Sequence, residues 1–163
     1  MTHAFYQVDV FSAEPFRGNP LAVVCDADGL SEAQMAAFAR WTNLSETTFL
    51  LAPTDALADY RVRIFTPGGE LPFAGHPTLG SCAAWLLHGG TPRTPGRVVQ
   101  ECGIGLVTVK QDGARLAFAA PPLRRSGPVE GPEREQAIAS LGVEPLALEW
   151  IDNGPGWMGA RLE

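Results

Sequence analysis

The feature that most constrains this sequence is a stretch without charge. From Leu71 to Pro92 there is no Asp, Glu, Lys or Arg. Such a run invites comparison with a membrane span, but Pro72, Gly75, Pro77 and Gly80 interrupt it, and its helical part is too short to cross a bilayer. Pro77 suits a first helical turn, and Gly89-Gly90 suits the far end. Between them, Leu79, Cys82, Ala83, Ala84, Trp85, Leu86 and Leu87 make the helix apolar or small nearly all round. A helix with no polar face needs apolar cover on every side. The pattern therefore predicts a central helix enclosed by a curved sheet.

The rest of the chain supplies strands for that cover. Phe5 to Val10, Leu21 to Cys25, Thr47 to Leu51, Tyr60 to Phe65, Val98 to Glu101, Leu106 to Lys110 and Arg115 to Ala119 are short, apolar-rich or alternating runs. Gln111-Asp112-Gly113 reads as a hairpin turn, and Thr66 to Glu70 as another turn. One further helix is well punctuated. Ser31 with Gln34 fits a capping box, Leu30 with Met35 fits its hydrophobic staple, and Asn43 is the stop. Residues 124–132, with Gly127-Pro128 and Gly131-Pro132, read as a loop and a boundary. A helix ending at Leu141 and strands at 146–151 and 157–162 follow. The expected organisation is a first domain over 1–123, then a linker and the incomplete start of a second domain over 124–163.

Composition narrows the function classes. Apolar residues make up 45% and charged residues 18%, enough for a core and against disorder. The formal net charge is −6, and Arg124-Arg125 is the only adjacent basic pair. No footprint for nucleic acid or an anionic membrane results, so neither is an expected partner. The opening residues alternate like a strand rather than forming a basic and then apolar leader. Cys25, Cys82 and Cys102 are far apart and outside any zinc-ligand spacing, which points to free thiols, no metal and a reducing, cytoplasmic setting.

Two segments could carry chemistry. In Asn43-Leu44-Ser45-Glu46-Thr47, an acid lies where a helix end meets an apolar strand; partial desolvation there suits proton transfer. Taken alone, Glu46 is better read as a solvated turn carboxylate, as most Glu residues are. In Phe73 to Gly80, Gly75 permits close approach of the backbone, Pro77 fixes the helix start, and free N–H groups of the first turn favour a carboxylate or enolate oxygen. His76 at that mouth could bind substrate or pass a proton. A plain helix cap is an equally good reading of the residues alone. His3 and His88 have no partner at ligand spacing. Cys82 fits a core position, Cys102 has no nearby base, and Gly103-Ile104-Gly105 lacks a dinucleotide fingerprint.

Five stretches taken together resemble the phenazine-biosynthesis PhzF-like family. They are Val8 to Phe11, Gly18 to Val24, Asn43 to Thr47, Arg63 to Pro67 and Leu71 to Gly80, in family order through the first domain. The resemblance implies an α+β fold like diaminopimelate epimerase, with mixed and antiparallel strands curved around a central apolar helix. It further implies an isomerase that moves a proton between carbons of a small carboxylate-bearing substrate, without metal or cofactor. Glu46 and His76 would be catalytic, and Gly75, Pro77 and Thr78 would bind substrate. Members of that family have a second half with its own acid and Gly-rich helix start, which has no counterpart here. The resemblance thus implies an incomplete cradle, doubtful activity of the isolated chain, and either a homodimer or a missing second half. The alternative is a non-catalytic half-domain that pairs with itself or another subunit. A thiol-dependent racemase using Cys102 or Cys82 is a third reading.

Overall fold

The computed structural model describes residues 2–163. It divides into two units, Met1–Ala119 and Ala120–Glu163. In the first, the strands are β1 (Phe5–Val10), β2 (Asn19–Val24), β3 (Thr47–Leu51), β4 (Tyr60–Thr66), β5 (Gly69–Leu71), β6 (Arg97–Cys102), β7 (Gly105–Asp112) and β8 (Arg115–Phe118); the helices are α1 (Glu32–Thr42) and α2 (Gly75–Leu87). All eight strands join one mixed sheet in the order β1-β2-β3-β4-β6-β7-β8, with β5 branching from β4. The β2–β3 and β4–β6 pairs are parallel and the others antiparallel.

α2 touches β1 and β8, which lie at opposite ends of that order, as well as β2, β3 and β6. A flat sheet could not meet one helix at both edges, so the sheet curls round α2. The uncharged sequence of this helix is the cause, since it leaves no face fit for solvent. Its inner core joins Cys82 and Ala84 to Val10, Leu21, Val23, Leu50, Val62, Ile64, Val98 and Val109. Contact is close at Gly80, where a Cβ would lie 2.6 Å from Leu21 Cδ2 and 2.9 Å from Val10 Cγ2.

α1 covers the other face of the sheet. Ser31 caps it in a complete box with Gln34, and Asn43, at φ 53°, ends it. Met35 and Ala39 meet Val24, Phe49, Leu51 and Phe65. Because both faces of β3 are covered, all five of its residues are buried. Its alternation then fixes direction: Phe49 and Leu51 point toward α1, whereas Thr48 and Leu50 point toward α2.

The second unit contains β9 (Arg125–Pro128), α3 (Gly131–Leu141), β10 (Ala147–Asp152) and β11 (Met158–Arg161), with sheet order β11-β10-β9. Val129, Leu148 and Trp150 form its small core. β9 corrects the expected loop over 124–132. Arg125-Ser126-Gly127-Pro128 has no strand-like pattern, but it pairs with β10, and the Arg125 guanidinium lies 3.5 Å over the Trp150 ring. β5 likewise occupies part of an expected turn. Among the described residues, no helix is long and apolar enough to cross a membrane.

Candidate active site

Three polar side chains reach one place, two of them because they continue an inward-facing strand alternation. Leu21 and Val23 of β2 face α2, so Asn19 does as well. Thr48 and Leu50 of β3 face α2, so Glu46, two residues before Thr48, does too. The parallel β2–β3 pairing, with Ala22 opposite Thr47, sets these two strand starts side by side. The first turn of α2 brings His76 up to them.

His76 and Glu46 are nearly buried, at 8% and 13% side-chain exposure, and His76 Nε2 lies 3.3 Å from Glu46 Oε2. Asn19 Nδ2 donates to His76 Nδ1 at 3.3 Å, and Ser45 Oγ donates to Asn19 Oδ1 at 3.4 Å. With Nδ1 accepting, the ring proton belongs on Nε2 and faces the carboxylate. The N–H does not lie along the line to Glu46, so neither Nε2 nor Oε2 completes an aligned hydrogen bond. A buried donor and acceptor left in this state are poised for a third group.

The mouth of α2 adds donors. Ala74 precedes the helix in extended conformation and no side chain caps it. Pro77 has no N–H, and the Thr78 N–H is bonded to the Ala74 carbonyl at 3.2 Å. The Gly75 and His76 amides are the free donors of the first turn, and they carry the positive end of the helix dipole. A Cβ on Gly75 would meet only Phe118 Cζ, at an ordinary 3.6 Å, so packing does not demand glycine there. Beside the mouth, Phe11 holds a left-handed backbone at φ 72°, and its 73%-exposed side chain has its ring centroid 6.3 Å from that of His76.

The structure thus brings Glu46, Gly75, His76 and Pro77 together, with Thr78 in the same turn. That residue is fully buried, and its hydroxyl donates to the Ala74 carbonyl at 2.9 Å, so its side chain faces the core rather than a ligand. Asn19 and Ser45 were given no role by the sequence reading. The signal for Asn19 was an amide at an inward position of an apolar strand. His88 is not isolated: it bridges Tyr6 Oη at 3.3 Å and Asp26 Oδ2 at 3.0 Å, at the other end of α2. The thiol reading loses support, because burial pushes Cys25 up to about 11 and Cys82 up to about 12, and raises Cys102 as well.

Burial also lowers the His76 pKa from its ordinary value, against the upward pull of the Glu46 carboxylate. Its ring should therefore titrate below about pH 6.5 in an NMR titration. Glu46→Gln removes the upward pull, so the midpoint should fall further. A midpoint that rises in the variant would show that the two groups are not electrostatically paired.

A family model described as phenazine biosynthesis-like protein (PhzC-PhzF) matches residues 8–147. The chain belongs to that family. Among curated members, it is 45% identical to antisense-enhancing sequence 1 of Schizosaccharomyces pombe, across 98% of this chain and 57% of that one. It is 38% identical to the trans-2,3-dihydro-3-hydroxyanthranilate isomerase of Pseudomonas aeruginosa, across 99% of this chain and 58% of the enzyme. The solved structure of a predicted epimerase from Pseudomonas aeruginosa superposes with a TM-score of 0.73 at 26% identity, covering 98% of this chain and 60% of that chain. The chain spans a little over half the length of these relatives. The α+β, epimerase-like fold expected from the sequence is the one adopted.

Proposed function

We propose that this PhzF-like chain serves an isomerase, with Glu46 moving a proton between carbons of a small carboxylate-bearing substrate. The observation that carries this reading is the buried, unaligned Glu46–His76 pair, 3.3 Å apart at the uncapped start of α2. The substrate's carboxylate would accept from the Gly75 and His76 amides. Glu46 would then take a proton from one carbon. The C–H electron pair moves into the adjoining unsaturated system, and the same carboxyl returns a proton to another carbon. Composition is unchanged from substrate to product, so the reaction calls for no co-reactant.

Neutral His76 would serve as a hydrogen-bond donor through Nε2, steadying Glu46 or the substrate as charge moves. Asn19 holds the tautomer that makes this possible. The named activity of the Pseudomonas relatives supports trans-2,3-dihydro-3-hydroxyanthranilate as the compound to assay first.

Gly75→Ala tests the anion-holding part of the proposal. The new methyl group has room beside Phe118, so the melting temperature should match the parent's. Close approach of the substrate to the backbone should suffer, raising KM by about tenfold, as for loss of one charge-assisted hydrogen bond. Unchanged KM in steady-state kinetics would remove Gly75 from the binding surface. A non-catalytic half-domain would show no turnover in either the parent or the variant.

A further inference from the structure

Gln100 takes no part in that chemistry, yet it is a fully buried amide in the core around α2. It links a chain of hydrogen bonds. Tyr60 Oη donates to Gln100 Oε1 at 2.8 Å, Gln100 Nε2 donates to Thr78 Oγ1 at 3.3 Å, and Thr78 Oγ1 donates to the Ala74 carbonyl at 2.9 Å. The same carbonyl also accepts the Thr78 N–H at 3.2 Å. At the far end, the Tyr60 ring stacks on Trp85, with centroids 5.3 Å apart and planes within 20°. One buried path therefore runs from the later part of α2, through β4 and β6, to the residue that precedes Gly75.

Stability alone does not account for this path. Apolar side chains of similar shape could fill the same space, and replacing hydrogen-bonded partners together can be nearly neutral. Hydrogen bonds differ from apolar contact in having direction. Direction matters at Ala74, because no side chain caps α2 and, among the described residues, its carbonyl accepts only from the Thr78 N–H and hydroxyl. We propose that Gln100 is a positioning residue. Through Thr78 it holds the Ala74 carbonyl, and hence the orientation in which the Gly75 and His76 amides meet a carboxylate. The proposal rests on the carboxylate-holding reading of the α2 mouth.

The test replaces the path as a set, with Tyr60→Phe, Thr78→Val and Gln100→Leu combined in the full chain. The melting temperature should stay near the parent's. The amide NMR signals of Gly75 and His76 should move, and the Kd for benzoate, used as a simple carboxylate probe, should rise at least about fivefold. Thr78→Ser, which keeps the hydroxyl, should retain the parent's signals and affinity. If the combined variant does not fold, Gln100→Leu alone is read by the same signals. A folded variant with the parent's Gly75 and His76 signals and the parent's benzoate affinity overturns the positioning role. Failure of the parent itself to bind benzoate overturns instead the carboxylate reading on which the role rests.

Discussion

Glu46→Gln is expected to lower turnover of trans-2,3-dihydro-3-hydroxyanthranilate by about 10²–10⁴-fold, the usual worth of a positioned proton-transfer group. The amide has the shape of the carboxyl but cannot take up and return a proton. The loss should fall on kcat rather than on KM, because the proposed carboxylate donors are backbone amides of Gly75 and His76. The fold should survive, since the amide keeps the shape of the carboxyl and His76, 3.3 Å away, keeps its Asn19 bond. Circular dichroism and the melting curve check that condition. A Glu46→Gln protein as active as the parent would move the proton transfer to another group, and His76, 3.3 Å away, would be examined next.

Phe49→Ala should have the largest effect on stability, at about 3–5 kcal/mol. Phe49 is fully buried on β3 and meets Phe65 edge-on at 5.6 Å and Phe38 at 6.2 Å. Its truncation leaves a cavity between the sheet and α1 that the rigid strands cannot close. The melting temperature should fall by on the order of 10 °C. Phe49 points away from α2, so activity per folded molecule should persist at low temperature. A loss below about 1 kcal/mol would mean that α1 closes over the gap. Lost activity at full folding would mean that the outer layer positions the site.

Much of the fold was legible because a few residues leave no alternative. The uncharged α2 could only be a core helix, and Ser31 with Gln34 and Asn43 bracketed α1. β9 was hidden, since Arg125-Ser126-Gly127-Pro128 becomes a strand only through β10 and Trp150. Sequence pattern read locally cannot register such tertiary help.

Residue by residue the site was not legible as a constellation, and only the family resemblance set Glu46 beside His76. Glu46 alone read as a surface acid, and His76 alone as equally a helix cap or a binding group. Their pairing across 30 residues of sequence depends on the parallel β2–β3 start and on the curl of the sheet. The inward direction of the Thr78 hydroxyl was not legible, because a position in the first turn says nothing about which way a hydroxyl faces. Gln100 escaped notice for a related reason. In Val98-Val99-Gln100-Glu101 it resembles the start of a solvent-facing pair, and only the structure shows it turned inward toward Tyr60 and Thr78.

The central claim is that Glu46 exchanges a proton with a substrate carbon. The most direct measurement follows trans-2,3-dihydro-3-hydroxyanthranilate by NMR in D2O, with the parent and with Glu46→Gln. Isomer is expected with the parent, carrying deuterium at the receiving carbon to the extent that the Glu46 carboxyl exchanges with solvent before it returns the proton, and unchanged substrate is expected with the variant. Isomer formation at the parent's rate by Glu46→Gln would contradict the claim.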